Sequence, residues 1–272
     1  SYNCLHQAMH RAIELSIVQA IQLASSMPAG KDLADFLYVH WYSGWQSYFS
    51  DNQTDCMGSA RLIHAYQAIN RDFSVATIDH GLATSAMLMV PQGWADAERG
   101  YWSVSSQPEA TPLNSRKTLR LYWNAPAEAA PFVLSTLQHA LFQAQTSYQL
   151  KLPLHYRDFN RFDCCVLYLP MEAYKHARPF LLYGYQMLAP CLRPHTPALA
   201  RPLAPGLALA ESPPSGDSFG SHRCGLMAKG LLTSSRSDPL PVQLHNVLEQ
   251  FLFAGISPST PHLNSIKADY PW

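Results

Sequence analysis

The sequence is poor in charge. Only 14% of its 272 residues are Asp, Glu, Lys or Arg, and 19 acidic residues balance 19 basic ones. Without an excess of either sign, no overall field attracts nucleic acid or an anionic membrane surface. The chain also has no run close to the roughly 20 apolar residues of a membrane-spanning helix. We therefore expect no nucleic acid and no membrane as partners, and an anionic ligand would need a local cluster of basic side chains.

Several motifs of metal and nucleotide chemistry are missing as well. The six cysteines show no C-x-x-C spacing, and the 12 histidines form neither an H-E-x-x-H nor a paired Cys/His pattern. The sequence has no G-x-x-x-x-G-K-[ST] and no G-x-G-x-x-G after a strand. These absences argue against a structural zinc site and a nucleotide site. We expect no metal and no organic cofactor.

The cysteines and the N-terminal stretch both bear on location. Cys164 and Cys165 lie in an apolar run, and we interpret the six cysteines as reduced, mostly core residues of a cytosolic protein. The first 20 residues have the pattern of an amphipathic helix and lack the charged-then-apolar order of a signal peptide. The expected location is the cytoplasm.

What the sequence does contain is enough apolar material for a large core, at 47% of residues. We predict a single domain over residues 1–272, with a helical N-terminal part at about 1–75 and an α+β part at about 117–272. Helices are predicted at about 5–26, 32–48 and 59–70, and residues 78–115 are interpreted as a long connection without periodicity.

The second half alternates between strand and helix patterns. Strands are predicted at 117–124, 147–154 and 164–169, the last of them central because it is fully apolar, with an antiparallel hairpin between the last two. Helices follow Asn124, as N-cap, and Pro170, and two more are expected near 219–233 and 241–254. The proline-rich stretch before these two helices, PCLRPHTPALARPLAPGLALAESPPSGDSFG, has too many prolines for a helix or a central strand. The predicted class is α+β, with N-terminal helices packed on a small, largely antiparallel sheet with further helices.

Alternation along two of these strands predicts a polar face. Arg120 and Tyr122 point away from Leu119, Leu121 and Trp123, and Lys151 shares a face with Gln149. If both apolar faces pack on the helices, Arg120 and Lys151 emerge together on the other face. A bare solvated face would produce the same pattern.

Further charged residues lie in two loops. The hairpin loop contains His155, Arg157, Arg161 and Asp163, and His222 and Arg223 follow the Pro/Gly-rich stretch that leads into a helix. A helix start and arginine side chains are suited to holding a phosphate. The alternative for Arg161 and Asp163 is that they only pair with each other and brace the loop.

Three stretches of the sequence carry a resemblance to a known family. RFDCCVLYLP, RPLAPGLALAESPPSGDSFGSHRCGLMAKGLL and PHLNSIKADY resemble, in order and spacing, motifs of the HopA-type bacterial type III effector family. The resemblance runs from about Lys117 to the C-terminus, and a weaker similarity is found in FLYVHWYSGW. The chain departs from the family pattern at three positions. It has Ala208 where Gly is frequent, Pro153 just after the strand that carries Lys151, and His262 where Tyr is usual.

The resemblance implies a HopA-like fold and a reaction class. Relatives in lanthipeptide and thioamitide gene clusters are similar to partners of a kinase-like protein, which phosphorylates Ser or Thr of a precursor peptide. The HopA-like protein is implicated in expelling the phosphate to leave dehydroalanine or dehydrobutyrine. The implied enzyme is a carbon–oxygen lyase acting on phosphoserine or phosphothreonine.

The charged residues above suit that reaction. In this hypothesis Lys151 is the base that removes the Cα proton, and His222 is the acid, with His155 as second choice. Arg120, Arg161, Arg223 and Arg157 bind phosphate, while Asp163 and Tyr122 orient the site. The alternatives are a non-catalytic phosphopeptide- or kinase-binding partner and a type III effector-like interaction protein.

Overall fold

The structure is a computed structural model, and it describes residues 2–44, 52–79, 92–106, 117–264 and 270–272. Its helices confirm the predicted N-terminal helix and the two closing helices. They are α1 (Tyr2–Ser25), α2 (Leu33–Leu37), α3 (Asn52–Asp79), α4 (Ala130–Gln143), α5 (Tyr174–Leu188), α6 (Phe219–Leu232) and α7 (Leu240–Phe253). None of the helices in these ranges is both long and apolar enough to cross a lipid bilayer.

Three predicted helices differ in their bounds from the structure. The third is longer than predicted, since α3 spans Asn52–Asp79. The second ends early, because α2 is followed by a single π-helical turn at Tyr38–Tyr42. Asn124 is not a helix cap, since α4 begins only at Ala130 after a 3₁₀ turn. The buried Asn124 instead holds loops together: its Nδ2 donates to the His195 carbonyl at 2.9 Å and its backbone N–H donates to the Gly206 carbonyl.

The strands form one seven-stranded sheet in the order β1-β2-β4-β5-β3-β7-β6, and β1 to β5 pair antiparallel. The strands are β1 (Gln92–Asp96), β2 (Tyr101–Ser105), β3 (Thr118–Trp123), β4 (Gln149–Pro153), β5 (Cys165–Pro170), β6 (Arg201–Ala204) and β7 (Leu207–Glu211). The α+β class, the antiparallel hairpin and the central position of β5 are confirmed.

The sheet is larger than the three strands predicted. Strands β1 and β2 lie in the stretch interpreted as a connection, and β6 and β7 lie in the proline-rich stretch. Pro202 is tolerated because β6 is an edge strand, and Pro205 precedes the turn at Gly206, whose φ is 75°. The prediction that this stretch contains no inner strand was therefore wrong.

The chain divides into two compact units. The first consists of residues 1–45, 197–201 and 210–269, and the second of residues 46–196, 202–209 and 270–272. The N-terminal helices are thus divided between the units, with α1 and α2 in the first and α3 in the second. The assignment of one domain to the whole chain stays a prediction.

The second unit is built around the apolar face of the sheet. Leu119, Leu121, Leu150 and Leu167 are fully buried there. Helices cover this face: the ring of Trp102 on β2 lies 6.0 Å from that of Tyr66 on α3, and Trp123 on β3 lies 6.4 Å from Tyr185 on α5. The polar alternate residues therefore belong to the opposite face.

Candidate functional site

Arg120 and Lys151 lie on the same face of the sheet, as predicted. In the strand register Arg120 stands opposite Tyr168, and Lys151 stands opposite Val166 on one side and Ser103 on the other. Tyr168 and Val166 are two residues apart on β5 and so share a face. Arg120 is only 8% exposed, which excludes the alternative of a bare solvated face at this position.

An aromatic ring accompanies each of the two cations. The Arg120 guanidinium carbon lies 5.2 Å from the centre of the Tyr168 ring, and the Lys151 Nζ lies 3.9 Å from the centre of the Tyr101 ring. Both distances are within the range of a cation–π interaction. The face therefore consists of two cation–tyrosine pairs on neighbouring strands. We refer to these residues, Arg120, Tyr168, Lys151 and Tyr101, as the sheet-face cluster.

The environment of Lys151 favours its neutral amine. Burial lowers the pKa of Lys151 below the ordinary lysine value, and the positive charges of Arg99 and Arg120 lower it further. Asp96 acts in the opposite direction but does not outweigh them. A lysine with a lowered pKa can accept a proton at a lower pH than a solvated lysine.

Arg161 and Asp163 pair with each other, as expected in the alternative in which they brace the loop. Arg161 Nε and Nη2 each donate to one carboxylate oxygen of Asp163, at 2.9 Å in both cases, and both side chains are largely buried. The pair lies near the sheet-face cluster, since both charges act on the pKa of Tyr101 and Arg161 also lowers that of Lys151. Asp163 thus fixes the orientation of Arg161, and its orienting role at a phosphate site stays a prediction.

The other predicted residues of this unit have different surroundings. Tyr122 is buried and stands opposite Val166 on β5, which in turn stands opposite Lys151 on β4. Tyr122 therefore belongs to the same face as Lys151. His155 Nδ1 is 3.5 Å from Ser59 Oγ on α3, which places His155 beside a helix. Arg157 is half exposed, and its Nε is 4.0 Å from Asp158 Oδ1.

In the first unit, a serine caps the start of α6. Ser218 accepts a hydrogen bond from the Ser221 backbone N–H at 3.0 Å. Gly220 on the first turn is required by packing. A Cβ at this position would stand 2.6 Å from Tyr38 Cε2 and in closer collision with the Tyr42 ring. Glycine is required here because two aromatic rings of the π-helical turn pack directly on the α6 backbone.

Arg223 on α6 is fully buried, and its guanidinium is occupied by the C-terminal segment 261–264. Nε donates to the Pro261 carbonyl at 2.8 Å, and Nη2 donates to the Leu263 carbonyl and to Asn264 Oδ1, at 3.2 and 3.0 Å. These contacts favour a structural role for Arg223. They give no support to its predicted role in phosphate binding.

His222 forms a hydrogen bond with the Arg223 guanidinium. Arg223 Nη1 lies 2.8 Å from His222 Nδ1, and because arginine only donates, Nδ1 must be the acceptor. The proton of the neutral ring is therefore on Nε2. Burial, followed by the charge of Arg223, lowers the pKa of His222. His222 is suited to donate a hydrogen bond from Nε2 rather than to act as a protonated acid.

Two of the three stretches that carry the family resemblance meet around segment 261–264. Asn264 donates from its backbone N–H to Glu211 Oε2 at 2.6 Å and from Nδ2 to the Ser212 carbonyl at 2.7 Å. The Glu211 backbone N–H donates to the carbonyl of His262. Glu211, Ser212, Arg223 and Asn264 thus form one buried network, which indicates that these motif residues hold the fold.

Sequence reasoning missed the two tyrosines of the cluster. Tyr168 alternates with Leu167 and Leu169, so the alternation that identified Arg120 also contained this signal. Tyr101 lies in YWSVS, where polar or amphipathic residues alternate with the buried Trp102 and Val104. The strand is only five residues long and was absorbed into the predicted connection.

The described residues contain no group of three or more His, Cys, Asp or Glu side chains placed to hold a metal ion. The fold and the sheet face together define an α+β protein with a partly buried cationic sheet face. The chain belongs to the HopA1 effector protein family, whose model matches residues 95–263.

Two solved structures share the fold over nearly the whole chain. The effector protein from Pseudomonas syringae pv. tomato strain DC3000 has a TM-score of 0.58 and 17% identity, and the match covers 95% of this chain and 99% of that one. The effector protein from Pseudomonas syringae pv. syringae strain 61 has a TM-score of 0.57 and 15% identity, covering 93% and 97%. No curated protein matches the chain.

Proposed function

We propose that the protein is a phosphoserine/phosphothreonine lyase that eliminates phosphate from a phosphorylated precursor peptide. The observation that supports this function best is the sheet-face cluster, in which the amine of Lys151 and the guanidinium of Arg120 share a partly buried face. A base and an anion-binding cation close together are what β-elimination of a phosphate ester requires.

Lys151 is the base in this proposal. Its lowered pKa makes the neutral amine available, and the amine takes the Cα proton of the phosphorylated residue. The electron pair of the broken Cα–H bond forms the Cα=Cβ double bond, and the Cβ–O bond breaks with its electron pair going to the phosphate. The products are dehydroalanine or dehydrobutyrine, inorganic phosphate and the protonated Lys151, so the step needs no oxidant and consumes no water.

The phosphate is held by Arg120 and Arg161. Arg120 lies on the face of Lys151, and the bidentate contact with Asp163 orients Arg161 through Nε and Nη2. Charge-assisted hydrogen bonds from guanidinium groups stabilise the charge that develops on the leaving phosphate. The acid in this proposal is His155, the second choice of the sequence analysis, which belongs to the same unit as Lys151 and Arg120.

The proposal also implies partners. A kinase-like protein must first phosphorylate Ser or Thr of the precursor peptide, because the lyase acts only on the phosphate ester. We propose that this partner and the peptide meet the protein in the cytoplasm. The modified peptide then carries dehydroamino acids, as in lanthipeptide maturation.

The decisive test is incubation of a synthetic phosphothreonine precursor peptide with the purified protein. Mass spectrometry should detect loss of phosphoric acid from the peptide, and a colorimetric assay should detect an equal amount of free phosphate. We expect Lys151→Met to lower the rate by about 10²–10⁴-fold, the usual contribution of a general base. Lys175→Met, at an exposed position of α5, is the matched control and should keep full activity.

The test also separates the alternatives. Binding of the phosphopeptide in preference to the unphosphorylated peptide, without elimination, would favour a non-catalytic phosphopeptide-binding partner. Equal affinity for both peptides and no elimination would reject phosphate chemistry and favour an effector-like interaction protein.

A further inference from the structure

Tyr101 has a close geometric relationship to the proposed base. The register pairs Lys151 with Ser103 and Pro153 with Tyr101, so Tyr101 is the diagonal neighbour of Lys151 on the adjacent strand. Diagonal pairs in antiparallel sheets are within reach of long and aromatic side chains. The Lys151 side chain extends along this diagonal, and its Nζ lies 3.9 Å from the centre of the Tyr101 ring.

The ring opposes most of the influences on Lys151. Burial, Arg99 and Arg120 all disfavour the ammonium form of Lys151, and only Asp96 among the charges named above favours it. The negative face of an aromatic ring attracts an ammonium group, so Tyr101 acts in the opposite direction. A lysine that accepts a proton among other cations needs such a stabilising contact at the moment when its charge appears.

The hydroxyl of Tyr101 does not carry the interaction with Lys151. Burial raises the pKa of Tyr101 above the ordinary value, so the side chain remains a neutral phenol. The interaction with Lys151 then depends on the ring face and not on a phenolate charge. Phenylalanine at this position keeps the ring, whereas leucine or methionine removes it.

Building on the proposed lyase function, we propose that Tyr101 is a positioning residue. Its ring holds the Lys151 amino group on the sheet face and stabilises the ammonium that forms when Lys151 accepts the Cα proton.

The first experiment uses the full chain without substrate. In NMR spectra, the Lys151 methylene protons next to Nζ should be shifted upfield by the ring current of Tyr101. Tyr101→Phe should keep this shift, and Tyr101→Leu should remove it and lower the pKa of Lys151 by about half a unit to one unit, because the ammonium loses its attraction. Tyr101→Met is a second ring-free variant, of less altered shape, should the leucine variant not fold.

Tyr168→Leu is the matched control, since it removes the ring next to Arg120 and should leave the upfield shift of Lys151 in place. The proposal is overturned if the ring-free variants keep the shift and the pKa of Lys151, or if Tyr101→Phe loses them. A rise of the Lys151 pKa in the ring-free variants would also overturn it, because the ring would then only shield the amine from water.

The second experiment measures elimination from the phosphopeptide. The ring-free variants should lower kcat by about 3- to 30-fold with KM changed less than about 3-fold, because the lost contact acts on the forming ammonium. Tyr101→Phe should stay within about 2-fold of the wild type. If the wild type eliminates no phosphate, the proposed function fails, while the NMR result still decides whether Tyr101 holds Lys151.

Discussion

Arg223 and Asn264 are joined by a hydrogen bond of 3.0 Å between residues 41 positions apart in the sequence. It is one of several bonds by which a buried guanidinium fixes the segment 261–264 to α6. The arginine that sequence reasoning placed in a phosphate clamp is surrounded by acceptors of the protein itself. This relationship makes the stability of the first unit depend on Arg223.

Replacing Arg223 by alanine should therefore destabilise the protein strongly. The substitution leaves the carbonyls of Pro261 and Leu263 without their donor and opens a cavity, and we expect a loss of about 3–5 kcal/mol in the free energy of unfolding. Urea denaturation followed by circular dichroism measures it. Arg236→Ala, at an exposed position after α6, should change stability by less than about 0.5 kcal/mol. A loss below about 1 kcal/mol for Arg223→Ala would contradict the structural role.

Two glycines of α6 should respond in opposite ways to alanine. Gly220→Ala forces a methyl group into the rings of Tyr38 and Tyr42 and should cost about 1–3 kcal/mol of stability. A methyl group at Gly225 would have no atom within 4 Å, and Gly225→Ala should stabilise by about 0.5–1 kcal/mol through helix propensity. Thermal denaturation of both variants compares them on one helix. Equal effects would mean that the aromatic contact does not determine the choice of glycine at position 220.

The Arg161–Asp163 pair should show measurable coupling. A double-mutant cycle with Arg161→Met and Asp163→Asn is expected to give an interaction energy of about 1–3 kcal/mol, because the contact is bidentate and largely buried. The control cycle uses Arg99 and Asp96, whose Nε–Oδ2 distance is 3.8 Å and whose arginine is 78% exposed. That cycle should give less than about 0.5 kcal/mol. Similar energies in the two cycles would remove the argument that Asp163 orients Arg161.

His262 should make stability depend on pH. Burial lowers its pKa to about 4, whereas the unfolded chain has the ordinary value near 6.5. The unfolded state therefore binds more protons between these values, so this contribution is present above pH 6.5 and is lost as pH falls toward 4. The expected loss between pH 7.5 and pH 5 is about 2 kcal/mol.

The measurement compares urea denaturation of the wild type with that of His262→Tyr, which introduces the residue usual in the family. The variant should lack this part of the pH dependence. If both proteins lose the same stability over this range, His262 does not titrate as its burial requires.

The pH profile of elimination should respond to Arg99. The rate should rise with pH as Lys151 loses its proton, and removal of a cation that lowers the Lys151 pKa moves that rise to higher pH. We expect Arg99→Gln to shift the profile upward by a few tenths of a pH unit, a modest amount because Arg99 is exposed. Lys175→Gln, at an exposed position of α5, is the control and should leave the profile unchanged. A downward shift with Arg99→Gln would be inconsistent with Lys151 as the base.

Alternation of side chains predicted the strands that matter most for the candidate site. In β3 and β4 the polar residues alternate with leucines, and this pattern was sufficient to place Arg120 and Lys151 on one face. Strand β7 was missed because its neighbours contain many prolines. Pro202 lies in the edge strand and Pro205 lies next to the turn, so neither removes a hydrogen bond between inner strands of the sheet.

The role of Arg223 could not be read from the sequence for a different reason. A His-Arg pair after a flexible loop has the same letters whether the guanidinium faces a ligand or the carbonyls of a distant segment. The acceptors at Pro261 and Leu263 are backbone atoms, which every residue has, so the sequence contained no sign of them. The same holds for Gly220, whose two ring partners come from a helix near the N-terminus.

The composition of the first unit has a consequence for synthesis of the protein. Residues 1–45 belong to it, yet α6 and α7, on which α1, α2 and the rings of Tyr38 and Tyr42 pack, follow only after the long insertion of the second unit. At ordinary translation rates the ribosome needs on the order of 10 to 40 s to add these intervening residues. During this interval the apolar side chains of α1 lack their partners on α7, so the newly made N-terminal helix is exposed to chaperones and to aggregation until α7 emerges.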